Sequence, residues 1–299
     1  MIVIISKGRR VWSTRRLWET AKARNLRVRI VSPYKCKMVL GPDGAGVIHG
    51  VKAMKPPRTG GAVIPRIGAS VTDFGLALLN QFHMLGYGVL NQPASFYLAR
   101  NKLLALQTLS AAGIRVPRTV MSRDRDDLDQ MVERVGGFPL ILKLTTGTQG
   151  VGVMIAESME SMRSALDALW GLGQNILIQE YVRESLGSDI RVVVVGGEAV
   201  AAYRRVARTG EFRSNIHRGG RGETVVLSPE VSAAAIGSVR AIGLDVAGVD
   251  ILESSGGPMV IEVNASPGLK GVEETTGVDV AAKIIDLAVK VSASSGKVA

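Results

Sequence analysis

Three oxygen-bearing side chains near the carboxyl end interrupt stretches that otherwise read as apolar strands. Asp250 sits within "AGVDIL", Glu262 within "VIEVN", and Asn264 follows two residues on, before the turn Ser266-Pro267-Gly268. Side chains alternate across a strand, so Glu262 and Asn264 project to one face. Two acids inside apolar strands repel each other unless they are protonated or share a cation. Two carboxylates and an amide oxygen suit a hard cation such as magnesium, the plainer alternative being a solvated strand edge. Sharing an ion requires Asp250 and Glu262 to lie on the same sheet face. A tight even turn would pair Asp250 with Ile261 and turn Glu262 away. A three-residue loop, Ser255-Gly256-Gly257, pairs Asp250 with Glu262 and predicts a left-handed glycine at 256 or 257. The odd register is therefore expected.

A second constellation lies upstream. "TTGTQGVGV", Thr145 to Val153, offers backbone N–H groups suited to phosphate, although a Gly-rich hairpin turn would look the same. It lacks the Gly-Lys-Ser/Thr of a P-loop and the order of the dinucleotide fingerprint. Lys143 precedes it among Leu140, Ile141, Leu142 and Leu144, where a lysine needs an anionic partner or an open cleft. A nucleotide phosphate or an internal salt bridge would serve. Arg204, Arg205, Arg208, Arg213 and Arg218 crowd a third stretch, suited to carboxylate or phosphoryl oxygens or else a surface basic loop. His217 within it reads as a hydrogen-bonding loop residue. Cradle, lysine, cation set and arginines together point to ATP chemistry. No Ser-His-Asp set or activated cysteine calls for a covalent enzyme intermediate.

Composition bounds the rest. The 299 residues are 46% hydrophobic but only 4% aromatic, so the core must be aliphatic. One cysteine and three histidines exclude an internal disulfide and a thiolate or imidazole metal site. No apolar run approaches the roughly 18 residues of a membrane span, and a cytoplasmic protein is expected. Net charge is +11, and residues 1–68 alone carry 15 Lys or Arg against Glu19 and Asp43. Such a field attracts nucleic acid or an acidic protein tail, or is an ordinary solvated face.

The elements that must position these groups alternate. "IVII" at 2–5, "VRIV" at 28–31 and "AVIPRI" at 62–67 read as strands, with helices over Trp12–Arg24 and Thr72–Leu85, Thr72 being the expected N-cap. This is a small, mainly parallel α/β unit. A long helix over Pro93–Ala112 follows, then strands at 138–144, 176–182 and 189–196 around a helix at Glu157–Gly171. Residues 204–223 read as a polar, basic stretch. Next come a helix at Pro229–Gly243, the hairpin 246–264 and a final helix from about Asp279, with a fraying tail.

In this order the motifs resemble the ATP-grasp superfamily, and within it the RimK group of ATP-dependent carboxylate–amine ligases. "PRIG" at 65–68, "VGGFPLILKLTTGTQGVGV" at 135–153, "ILIQEYV" at 176–182, "FRSNIHRGG" at 212–220, "DVAGVDIL" at 245–252 and "EVNASPGLKGVE" at 262–273 carry the likeness across nearly the whole chain. It implies an α/β chain: residues 1–92 as an amino-terminal domain, 93–180 and 181–292 as two α+β lobes gripping ATP, and 293–299 as a frayed tail. It implies Lys102, Lys143, Gly147 and Gly150 at the ATP phosphates, and Glu180, Tyr181 and Val182 at the adenine hinge. Asp189 and Arg191 fall near ribose and phosphates, Arg213, Ser214 and Asn215 at the active centre, and Arg204 with the catalytic arginines. Asp250, Glu262 and Asn264 correspond to ligands of magnesium, two ions in all, with manganese as a substitute. Asn101 stands where relatives often have Asp before the lysine. The implied reaction joins L-glutamate to an acidic protein, ribosomal protein S6 being suggested, by a homotetramer. A same-fold ligase acting on a small cofactor or amino-group carrier protein is the nearest alternative. A non-catalytic nucleotide- or RNA-binding module is the other, opposed by the intact Asp250, Glu262, Asn264 and Lys143.

Overall fold

Short apolar strands build the first layer. Ile2–Ile5 and Ala62–Pro65 are buried at every position, as parallel strands covered on both faces must be. With Val28–Val31 and Gly88–Val89 they form a four-stranded parallel sheet, ordered 28–31, 2–5, 62–65, 88–89. Val3, Ile5 and Val63 pack with Leu78, Leu79 and Phe82 of helix Thr72–Met84. Ile2, Ile4 and Ile64 pack with Leu17 and Ala21 of helix Trp12–Ala23, and with Ile284 and Ile285 of helix Val280–Ser295. The carboxyl-terminal helix thus covers the amino-terminal sheet. This computed structural model describes the whole chain except residues 43, 58, 59, 123, 125, 146–151, 186, 209, 210, 212, 213, 215–218 and 296–299. Among the described residues no helix is long and apolar enough to cross a membrane.

Several expectations need correction. Cys36–Gly41, Gly44–His49 and Lys52–Met54 form an antiparallel meander that the sequence reading left unassigned. Its glycines and lysines dilute the alternation that would have marked it. Thr72 is the first helical residue rather than the cap, its hydroxyl donating to the Gly68 carbonyl (3.3 Å). The tail is helical to Ser295, whose Oγ donates to the Gly61 carbonyl (3.0 Å).

Residues 93–112 are two helices, not one. Pro93–Arg100 and Lys102–Ala111 are separated by Asn101, with an extended backbone (φ −93°, ψ 106°). Its Oδ1 accepts from the N–H groups of Leu103 (3.1 Å) and Leu104 (3.2 Å), the groups a helix start leaves unsatisfied. The break puts Lys102 in the first turn, where the helix dipole disfavours a cation. A local cost of this kind marks a position kept for another purpose.

Two further sheets face each other. The first is antiparallel, ordered Val153–Ala156, Leu140–Leu144, Ile176–Glu180, Thr119–Val120. Leu140, Leu142, Ile176 and Ile178 pack on helices Leu128–Arg134 and Met159–Gly171. The alternate residues Ile141, Lys143, Leu177 and Gln179 therefore face the other way. The second sheet is ordered Arg221–Thr224, Glu198–Val206, Ser188–Val195, Val246–Leu252, Met259–Asn264. Ile190, Val192, Val249, Ile251 and Val263 pack with Val231, Ala235 and Val239 of helix Pro229–Ile242. Here too the sequence reading falls short: Arg204 and Arg205, taken as part of a basic stretch, lie on a strand.

Candidate active site

The opposite face of the five-stranded sheet carries the chemistry. Its register sets Asp189 beside Arg205, Arg191 beside Tyr203 and Asp250, and Asp250 beside Glu262. Gly248 stands opposite Asn264. The odd register is present, but not through the loop. Next to the turn, Leu252 pairs with Met259 and Ile251 with Val260, which is the even alignment. A bulge at Ile261 then adds one residue to the second strand and brings Glu262 opposite Asp250. Bulges re-aim side chains in this way. Gly257 has the positive φ expected of this turn (+106°).

Asp250 is held from two sides. Arg191 grips it bidentately (Nε to Oδ1 and Nη2 to Oδ2, both 2.6 Å), and Arg205 Nη2 lies 2.8 Å from Oδ2. Arg205 Nε also donates to Asp189 Oδ1 (2.6 Å), and Ser214 Oγ donates to Asp189 Oδ2. Burial alone would raise the Asp250 pKa, but Arg191 and then Arg205 more than offset it and hold it below the usual carboxylate range. Burial would likewise lower Arg205, yet Asp250 and Asp189 raise it. Asp250 is thus compensated by arginines, which the sequence reading did not allow for beside protonation and a shared cation.

Glu262 and Asn264 are less committed. Lys102 Nζ approaches Glu262 Oε1 at 3.7 Å. Asn264 Nδ2 is buried without a hydrogen-bond partner among the described residues. An unsatisfied buried amide is costly, about 1–3 kcal/mol, and calls for an explanation. Turning the amide over presents Oδ1 instead. Among the described residues no group of three His, Cys, Asp or Glu is placed to hold a metal. The candidate set is two carboxylates and an amide, and it fits magnesium: Glu262 and Asn264 have open oxygens, and Asp250 keeps further lone pairs.

The turn beyond Asn264 is clamped. The fully buried Asn91 donates Nδ2 to the carbonyls of Val246 and Ala265 (both 2.7 Å) and accepts from the N–H groups of Asp245 and Val246 (2.7 and 2.9 Å). Ser13 Oγ accepts from Leu269 N–H (3.0 Å). A side chain at Gly248 would bring its Cβ within 2.9 Å of Pro267 Cβ, so the residue opposite Asn264 must be glycine.

Lys143 comes from the facing sheet. Its Nζ donates to Gln179 Oε1 (2.6 Å), an amide rather than the internal salt bridge that the sequence also allowed. Burial lowers its pKa to about 8, with Glu262 opposing, Lys102 adding, and Asp250 and Asp189 opposing more weakly. Those influences place it in the field of the other sheet. Lys102 N–H donates to the Thr145 carbonyl (3.3 Å), tying the second lysine to the start of the Gly-rich loop.

At the hinge, Glu180 ends its strand with its carboxylate turned to Arg118 (Nε to Oε2 and Nη2 to Oε1, 3.1 Å each). Tyr181 and Val182 leave the ladder there, before the short turn Arg183–Ser185. The structure does not bring Arg204 to the site. It alternates with Arg205, pairs in register with Ile190, and binds Glu253 on the opposite face. Sequence reasoning counted Arg205 in the basic cluster without giving it a role, and it missed Gln179. A lysine and a glutamine on adjoining apolar strands were the available signal. Gly147, Gly150, Arg213, Asn215 and His217 lie outside the described residues.

Comparison with known proteins fixes the class. Residues 1–96 match the RimK PreATP-grasp domain and residues 99–288 the RimK-like ATP-grasp domain. The chain is 47% identical over 285 residues to a probable alpha-L-glutamate ligase of Thioalkalivibrio sulfidiphilus, covering 95% of this chain and 93% of that one. It is 46% identical over 284 residues to the ribosomal protein bS6–L-glutamate ligase of Escherichia coli O81, covering 95% and 94%. Its fold is also that of the ATP-grasp ligase PsnB, solved with minimal precursor, Mg and ADP (TM-score 0.74, 21% identity, 97% and 98% covered). The chain belongs to the RimK-like ATP-grasp family. Within it, this is an ATP-dependent alpha-L-glutamate ligase, joining a carboxylate to an amine.

Proposed function

We propose that the enzyme adds L-glutamate to a carboxylate of an acidic protein, ribosomal protein S6 being the first candidate, through an acylphosphate. The observation that carries this reading is the placement of Asp250, Glu262 and Asn264 on one face, in the field of Lys143 and beside Lys102. The acceptor carboxylate attacks the γ-phosphorus of ATP and ADP leaves. The amine of glutamate then attacks the acyl carbon, losing a proton, and phosphate leaves with the C–O electron pair.

Lys102 and Lys143 hold the phosphate oxygens as point charges. The main chain from Glu180 to Val182 receives adenine. Asp250, Glu262 and Asn264 would hold magnesium, which when bound would neutralise phosphoryl charge. Arg191 and Arg205 fix Asp250, and Asp189 with Ser214 fixes Arg205. The Gly-rich stretch Thr145 to Val153, with Gly147 and Gly150, serves the phosphates and would keep water from the acylphosphate. Arg213 and Asn215 serve at the active centre.

The experiment is intact-mass measurement of acidic proteins, S6 included, after incubation with ATP, magnesium and glutamate. Mass increments of whole glutamyl residues on S6 are expected. Increments on a small cofactor or amino-group carrier alone would move the acceptor there.

A further inference from the structure

Two arginines on the amino-terminal side of the site have no carboxylate partner among the described residues, and the reaction as described leaves them idle. Arg66, in "PRIG", follows strand Ala62–Pro65 at its carboxyl end, where parallel sheets bind ligands. Its Nη2 donates to the Pro267 carbonyl (2.7 Å), reaching the turn just beyond Asn264. Its Nε is buried and has no hydrogen-bond partner among the described residues. Arg100 ends helix Pro93–Arg100, donates Nη2 to the carbonyl of Ile67, and lies over the Phe96 ring (5.3 Å).

Burying two cations side by side without an anion is expensive. Burial, and then the charge of Arg100, lowers Arg66 to about 10. Glu262 lies within electrostatic reach of Arg100, but no ion pair joins them. Glu262 is also in the field of Lys143, so Arg100 and the phosphate-facing lysine both look onto it, with Arg66 beside Arg100. The lysines suit phosphate. A guanidinium fork, with a donor free and buried, suits a planar carboxylate.

We propose that Arg66 and Arg100 form the subsite for a carboxylate of the incoming L-glutamate, holding its amine toward the carboxyl activated beside Glu262. This rests on the phosphoryl site being at Lys102, Lys143 and Glu262. Free glutamate is the one reactant that brings two carboxylates and a nucleophilic amine together. Gripping one carboxylate leaves the amine at a fixed reach, which favours the near-attack geometry.

The test is calorimetric titration of L-glutamate into the intact protein saturated with magnesium and a non-hydrolysable ATP analogue. Arg66→Gln and Arg100→Gln are each expected to weaken glutamate on the order of ten- to a hundredfold. Analogue affinity, and that of a synthetic peptide ending in glutamate, should change less than about threefold. Replacing glutamate by glutamine or isoglutamine identifies the carboxylate gripped: wild type should discriminate against one amide, and the variants should lose that discrimination. Arg66→Lys should recover part of the affinity. Absent glutamate binding by wild type, or equal binding by the variants, overturns the assignment. So does a loss confined to the analogue or to the peptide, which would give the pair to phosphate or to the acceptor. Should Arg66→Gln disturb the Pro267 turn and unfold the chain, Arg100→Gln is judged by the same outcomes. Glutamate binding by a wild type that fails to bind the analogue would keep this subsite and break the phosphoryl reading.

Discussion

The two sheets that meet at Lys143 and Glu262 handle buried charge in opposite ways. On the five-stranded sheet the most deeply buried charges answer one another: Arg191 and Arg205 bracket Asp250, and Arg205 also holds Asp189. On the facing sheet Lys143 has, among the described residues, only the neutral Gln179, and its pKa falls to about 8. A satisfied network rigidifies, whereas an unanswered charge has binding capacity left over. The first sheet holds a closed ionic network, and the second carries a lysine paired with an amide. Glu262 and Asn264 belong to the first sheet by position but resemble Lys143 in having capacity to spare.

The largest effect should come from breaking the closed network. Arg205→Leu strands Asp189 and Asp250, both almost wholly buried, without their shared cation. Stability should fall by about 3–5 kcal/mol in urea unfolding, as when one partner of a buried pair is removed. A loss under about 1 kcal/mol would mean the network is not the closed unit its distances describe. Glu262→Gln is expected to do the reverse. Its one ion pair among the described residues is the 3.7 Å approach of Lys102, so stability should move less than about 1 kcal/mol. Ligation, read as glutamate-dependent ADP release, should drop about a hundredfold or more, roughly 2.7 kcal/mol in barrier. Full activity would remove Glu262 from the metal set.

The contrast also separates what was legible in the sequence from what was not. Strand identity was legible, because Ile2–Ile5, Leu140–Leu144 and Val246–Leu252 are apolar runs bounded by turn residues. The pairing of Asp250 with Glu262 followed from asking which register lets two acids share a face. The bulge that delivers it was not legible, since Ile261 looks like any strand residue. Nor was the choice between Arg204 and Arg205, which turns on a one-residue alternation inside a strand read as loop. The basic amino-terminal face was legible as charge but not as use. Arg16 holds Glu273 (2.9 Å) and Asp279 (3.0 Å), Arg24 binds Asp286, and Arg9 lies over Trp18. Arg16 and Arg24 thus tie the first helix to the last elements of the chain rather than standing free for a partner. Asn101 was noted as a departure from its relatives; its role as helix cap needed the coordinates.

Lys143→Met should sharpen the contrast with a gain in stability. The folded pKa, about 8, lies below the ordinary lysine value of 10.5, so the fold penalises the charged form. That penalty is fully present below pH 8, shrinks between pH 8 and 10.5 as the folded protein releases its proton first, and is gone above. The variant should therefore unfold about 1–2 kcal/mol harder than wild type at pH 7, the partial exposure of the side chain keeping the figure modest. The difference should close as pH rises past 10. ATP affinity should fall on the order of ten- to a hundredfold. A variant less stable at pH 7 would show that Gln179 already satisfies the ammonium, and the comparison between the sheets would fail.

The smallest effect should lie at the hinge. Glu180 spends its carboxylate on Arg118, whose side chain is 58% exposed, and an exposed pair of this kind contributes under about 1 kcal/mol. The backbone does more there: Glu180 N–H donates to the Arg118 carbonyl (2.9 Å), continuing the ladder to the edge strand. If adenine is received by the main chain of residues 180–182, the side chains can go without disturbing it. Arg118→Ala and Glu180→Ala should each leave the KM for ATP within about threefold, and stability within about 1 kcal/mol. A tenfold rise in KM for Glu180→Ala alone would mean that its carboxylate leaves Arg118 to meet the nucleotide. The hinge would then join Lys143 among the groups with capacity to spare.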